Sequence, residues 1–269
     1  MATILPITRE IEAACRELYR AVGLFLDARK TLPPLGRYES EVEAVNLFTM
    51  AIRHIEGVVA LAREDLVLLP PALAAARAAF ETSVKAAWMI NVDDPFEREI
   101  RWLAHLKGEE RFLERTSRYL ADLGLESETL PSLHDKIRSF RVAVVGALPP
   151  GVAELPRSPS FEDMLKAVGG DELYVIYMKL SQYVHAEHAA TWLYRSRGLG
   201  TEKRLGEFIK ADDWYLPLRV CWLSLGQPGR VLLERTGASR AAFLDPDHQS
   251  RVVNAIEQVG AGWPGLRVH

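Results

Sequence analysis

Apolar residues recur at steps of three and four over most of the chain, the spacing of helices with one buried face. In residues 8–30 the stripe is Ile11, Ala14, Cys15, Leu18, Val22, Phe25 and Leu26, with Thr8 placed to cap it. Leu32-Pro33-Pro34-Leu35-Gly36 ends that helix. A second predicted helix, 40–68, repeats Val45, Phe48, Ile52, Ile55, Val59 and Ala62, and Pro70-Pro71 separates it from a third. The third, 71–91, is alanine-rich, which lets neighbouring helices come close. Asp93-Asp94-Pro95 opens a charged fourth helix that Gly124 stops.

Beyond it the pattern is more broken. A short helix is expected over 132–140, and 141–147 is the best strand candidate, although an isolated strand has no partner. The prolines and glycines of 146–160 read as an irregular connection. Ser160 opens a short helix to 168, and Gly169-Gly170 closes it. Asp171 then caps a helix expected to run to about 195. Two more fit 211–236 and 241–259, with Pro217 and Pro228 as kinks. No alternating strand pattern of useful length competes. The expectation is an all-α, antiparallel multi-helix bundle. An N-terminal helix (1–39) packs on a core bundle (40–196), and C-terminal helices (197–269) complete the same domain.

Composition narrows the function classes. The chain has 269 residues, 48% of them hydrophobic, enough for a sizeable core. The net charge of −3 argues against a wide surface that tracks phosphates, though not against a small basic cleft. Two distant cysteines, Cys15 and Cys221, make neither a zinc site nor a disulfide framework, so a reducing cytoplasm is expected. The N-terminal residues lack the pattern of a signal peptide, and no uncharged apolar run of about eighteen residues predicts a membrane span.

The chemistry concentrates on two helices. LYVIYMKLSQYVHAEHAATWL is nearly apolar yet carries Ser181, His185, Glu187 and His188. Spaced four and then three apart, Ser181, His185 and His188 would share one helical face, with Tyr177 extending the stripe. Polar groups on an apolar helix either find partners or cost stability. Serine beside histidine suggests proton transfer. The competing expectation is that Ser181 bonds back to the Tyr177 carbonyl. On the alanine-rich helix, Arg77, Glu81 and Lys85 follow at steps of four. A metal site is not expected. Glu187 points about 100° away from His188, and neither Glu-x-x-His nor His-Glu-x-x-His occurs. No cofactor is expected.

Other features carry structural readings. Trp88, Trp102, Tyr177, Tyr183, Trp192 and Trp214 are core candidates. The basic tip at Arg195, Arg197, Lys203 and Arg204 is a helix C-terminal cap or an anion-binding rim. In REIRWLAH, Arg98 and His105 are separated by six residues. That spacing also marks ribonucleases of the HEPN (higher eukaryotes and prokaryotes nucleotide-binding) type, but so short a motif also arises by chance.

Taken together, ARAAFETSVKAAWMI and FEDMLKAVGGDELYVIYMKLSQYVHAE resemble a bacterial helical family, the domain-of-unknown-function family 5677. Its members pair an Arg/Glu helix with a Tyr-x-x-x-Ser-x-x-x-His helix. Arg77 and Glu81 match the first, and Tyr177, Ser181 and His185 the second, over about residues 40–195. The resemblance implies that Arg77, Glu81, Ser181 and His185 face one another in a helical bundle. Some members look distantly HEPN-like, which implies RNA or a nucleotide as partner, with a homodimer as a further option and no membrane. The chain departs from the HEPN spacing at Lys179, where arginine is needed. On this reading His185, Arg77, Glu81 and Ser181 form the catalytic set, and Tyr177, His188 and Lys85 bind substrate. The alternative is a non-catalytic interaction or dimerisation module that uses the same residues as a core network.

Overall fold

The computed structural model describes residues 5–35, 38–125, 129–150, 158–188, 190–194, 206, 208–239, 243 and 245–262. Among them the chain forms nine α-helices, several short 3-10 turns and no strand, a multi-helix bundle as the periodicity predicts. The helices are α1 (Arg9–Arg29), α2 (Glu39–Glu64), α3 (Leu69–Ile90), α4 (Pro95–Asp122), α5 (Thr129–Ala147), α6 (Phe161–Ala167), α7 (Tyr174–Val184), α8 (Tyr215–Arg235) and α9 (Pro246–Val259). Side-chain caps fix several starts. Thr8 Oγ1 accepts the Ile11 amide and Asp94 Oδ1 the Phe96 amide, and Ser160 and Asp163 form a reciprocal capping box.

Helix α3 is the hub. It packs against α2, α4, α6, α7 and α8, and its alanines Ala72, Ala76, Ala79, Ala86 and Ala87 are fully buried. Four residues join α2 to α3, and the two pack along their length, so they run antiparallel. Helix α8 packs on both α3 and α2, and α1 packs on α9. A continuous apolar core runs through all of these, with Trp214, Phe25, Phe48 and Phe80 among its largest members. Within it Gly229 is needed, since a Cβ there would stand 3.1 Å from Phe48 and 3.4 Å from both Phe25 and Phe243. By length and composition α2 alone among the described residues could cross a membrane. Here its stripe of Ala44, Phe48, Ile52, Ile55 and Val59 is buried in this core.

Three sequence expectations need correction. The short helix over 132–140 and the strand at 141–147 are one helix, α5, because a short β-branched run such as VAVV does not separate strand from helix. Helix α5 has no buried residue and rests mainly on α4, tied there by the Arg141–Glu110 ion pair. The third correction concerns α7, which stops at Val184. Ala186 takes a left-handed conformation (φ 51°), the Glu187 amide donates to the Gln182 carbonyl, and the Ala186 amide to that of Tyr183. These bonds form a Schellman turn. No glycine or proline announces it in the sequence, so the helical pattern alone carries the reading too far. The basic tip at Arg195, Arg197, Lys203 and Arg204, and the Trp192 side chain, lie outside the described residues.

Candidate functional site

Helices α3 and α7 meet at Arg77. Its Nε donates to Glu81 Oε1 at 2.7 Å, its NH2 to the Tyr177 hydroxyl at 3.2 Å, and its NH1 lies 3.2 Å from His185 Nε2. A guanidinium only donates, so His185 Nε2 is the acceptor and the ring proton sits on Nδ1. The guanidinium carbon also stands 4.9 Å from the centre of the Tyr177 ring, within cation–π range. The Arg77 side chain is 12% exposed and that of Glu81 36%. Burial by itself would lower the Arg77 pKa. The hydrogen bond and charge of Glu81, and then Tyr177, outweigh it and hold the arginine above its ordinary value.

The four residues implied by the resemblance do not all converge. Arg77, Glu81, Tyr177 and His185 form one network, whereas Ser181 Oγ donates to the Tyr177 carbonyl at 2.9 Å, the local bond named above as the competing expectation. His185 is the residue that ends α7, so the turn and not a helical face sets its direction. His188 follows the turn and is exposed, which separates it from the stripe that includes Ser181.

Beside Arg77 opens a cleft of about 550 Å³. Arg77, Glu81 and Lys85 form its α3 wall, spaced at four so that they share a face. Helix α4 contributes His105, Gly108, Glu109 and Phe112, and Phe161 and Tyr177 contribute an aromatic wall. Those two rings lie 4.4 Å apart, and Phe161 meets the buried Phe80 edge-on. His185 is not among the described residues that line the cleft, and it meets Arg77 from the C-terminal end of α7.

The histidine on the cleft wall is His105. Its Nε2 stands 3.6 Å from Glu43 Oε1, beyond hydrogen-bond length and within ion-pair range. The neighbouring imidazole holds the Glu43 carboxyl below its ordinary value against the opposing effect of burial. The Arg98–His105 spacing does not make a pair in space. Arg98, its side chain 11% exposed, donates to the Val92 carbonyl and to Glu41 and binds α4 to the start of α2. His105, Gly108, Glu109 and Phe112 share one face of α4 by their spacing, but nothing in the sequence joins that face to Arg77. Trp88, Trp102 and Trp214 are core residues. Among the described residues no three His, Cys, Asp or Glu side chains are grouped to hold a metal ion.

A family model described as a family of unknown function (DUF5677) matches residues 43–201, more than half of the chain. That segment runs from early α2 through α7 and contains every residue of the Arg77 network. No curated protein and no solved structure matches the chain.

Proposed function

The chain belongs to the DUF5677 family of unknown function, and from the chemistry of its Arg77 cleft we propose a bacterial, cytoplasmic, HEPN-like protein that cleaves RNA or binds a nucleotide in stress or phage defence. The observation that carries this reading is a single one. One largely buried guanidinium joins a carboxylate, a phenol and an imidazole beside a cleft wide enough for a nucleotide. Arg77 and Lys85 supply positive charge for a phosphate, and Glu81 orients Arg77. The Tyr177 and Phe161 rings offer a face for a base.

In the proposed reaction the scissile phosphate sits on Arg77 at the edge of the cleft, where His185 Nε2 leaves the guanidinium and takes the proton of a ribose 2′-hydroxyl. The 2′-oxygen bonds to phosphorus, the bond to the 5′-oxygen breaks, and that oxygen leaves with a proton. The products are a 2′,3′-cyclic phosphate and a 5′-hydroxyl. His105 gives the cleft a second imidazole for the leaving group.

A second reading is a non-catalytic helical interaction or dimerisation module in which the polar motif is a structural core network. Two observations favour it. Ser181 spends its proton inside its own helix, and the α4–α5 arm exposes Tyr119, Leu123, Leu133, Phe140 and Val142.

The two readings part in a cleavage assay on labelled single-stranded RNA. The enzyme reading expects the wild type to cut and His185→Ala to lose on the order of a hundredfold or more in rate while staying folded. No cleavage by the wild type, or equal cleavage by the variant, removes it. A His185→Ala chain that only melts earlier fits the module.

A further inference from the structure

A second opening lies along α8. Two adjoining cavities, about 270 Å³ and 440 Å³, share Trp222, Gly226 and Gln227 of α8. Arg219, Trp222, Leu223, Gly226, Gln227 and Arg230 follow at steps of three and four, so one face of α8 floors both lobes. Phe80 and Val84 of α3 and Leu165 and Val168 at α6 wall the inner lobe. Phe243 and Gln249 wall the outer one. Among the described residues neither lobe shares a lining residue with the Arg77 cleft. The floor lies in α8, outside the segment that the family model matches.

The lobes differ in charge. The inner lobe is apolar apart from Gln227 and the opposite charges of Arg219 and Glu172. The outer lobe holds Arg230, Gln227 and Gln249, and no carboxylate among its described lining residues. Arg230 donates to Gln227 Oε1, which fixes the guanidinium over the opening. Trp222, 9% exposed, is the wall common to both. Gly226 keeps the passage between them low. Unlike Gly229 it is not needed for packing, since the nearest atoms to a Cβ there are those of the Trp222 ring at 3.8 Å and 3.9 Å, an ordinary contact.

We propose that this groove binds a medium-chain aliphatic carboxylate, with the chain in the inner lobe and the carboxylate on Arg230. Apolar walls with a few placed polar groups are the usual make-up of a small-molecule site. Arginine suits a carboxylate because its planar fork offers two parallel donors. Size sets the chain length. At about 30 Å³ for each methylene-sized group, the inner lobe holds roughly nine carbons.

Decanoate is the matching probe, titrated into the full chain by calorimetry with decanol beside it. The wild type should bind decanoate saturably at one site, and decanol about tenfold or more weaker. Gly226→Leu grows a side chain from the groove floor and should weaken decanoate at least about tenfold. Arg230→Gln, at an exposed position, should weaken decanoate about tenfold and leave decanol unchanged. Circular dichroism and melting show that each variant is folded, and Arg230→Gln keeps the test open if Gly226→Leu is not. Three results overturn the proposal. They are no saturable binding by the wild type, decanol binding as tightly as decanoate, and folded variants that bind like the wild type, the mark of a surfactant on the surface.

Discussion

At Arg77 one guanidinium serves Glu81, Tyr177 and His185 at once, so its directional donors are shared among three partners on two helices. Two of its five N–H donors, one on NH1 and one on NH2, stay open to an incoming anion, and an anion that takes both donors of NH1 displaces His185, which is exposed and bonded at 3.2 Å. That exchange frees Nε2 just as the anion arrives. His248 shows the opposite case. It is 1% exposed, and neither ring nitrogen has a hydrogen-bond partner. Burial pushes its pKa down, Arg20 and Arg251 add to this, and Glu17 and Asp245 oppose it. Since the unfolded ring titrates near 6.5, the unfolded chain takes the proton first as pH falls. The contribution of neutral His248 is thus intact above about pH 6.5 and is lost as pH falls toward the lower folded value. Urea unfolding at pH 7.5 and 5.5 should show a larger loss for the wild type than for His248→Gln. Equal losses would mean that His248 does not drive the acid sensitivity.

Among the elements, α3 was the most legible. Its alanines announce close packing, and the i, i+4 spacing of Arg77, Glu81 and Lys85 places them on one face. Caps at Thr8, Asp94 and Ser160 were legible because side-chain capping is a local event. The end of α7 was not. Periodicity continues past Val184, and the turn rests on an alanine in the left-handed region, where a Cβ costs roughly 1–2 kcal/mol. Such strain beside a candidate acid/base residue holds His185 at the corner instead of along the stripe. Ala186→Gly relieves it and should stabilise the chain by about 0.5–1 kcal/mol, seen as a higher melting temperature. A lower melting temperature would show that the turn is not strained. The cleft's α4 wall was illegible for another reason. Contacts between α3 and α4 depend on how the two helices cross, and a one-dimensional pattern does not contain the crossing.

Across the whole molecule, the segment that matches the family carries the Arg77 network, while α1, α8 and α9 lie outside it and close the core around α2 and α3. The central claim is that the Arg77 network is a seat for an anion and not a tie between helices. Calorimetric binding of a short RNA made uncleavable by 2′-O-methylation tests this without requiring turnover, with wild type set against Arg77→Gln. The wild type should bind, more weakly as salt is raised, and folded Arg77→Gln should lose about tenfold or more. Wild-type and Arg77→Gln chains that bind the RNA equally, or a wild type that does not bind it at all, would contradict the claim.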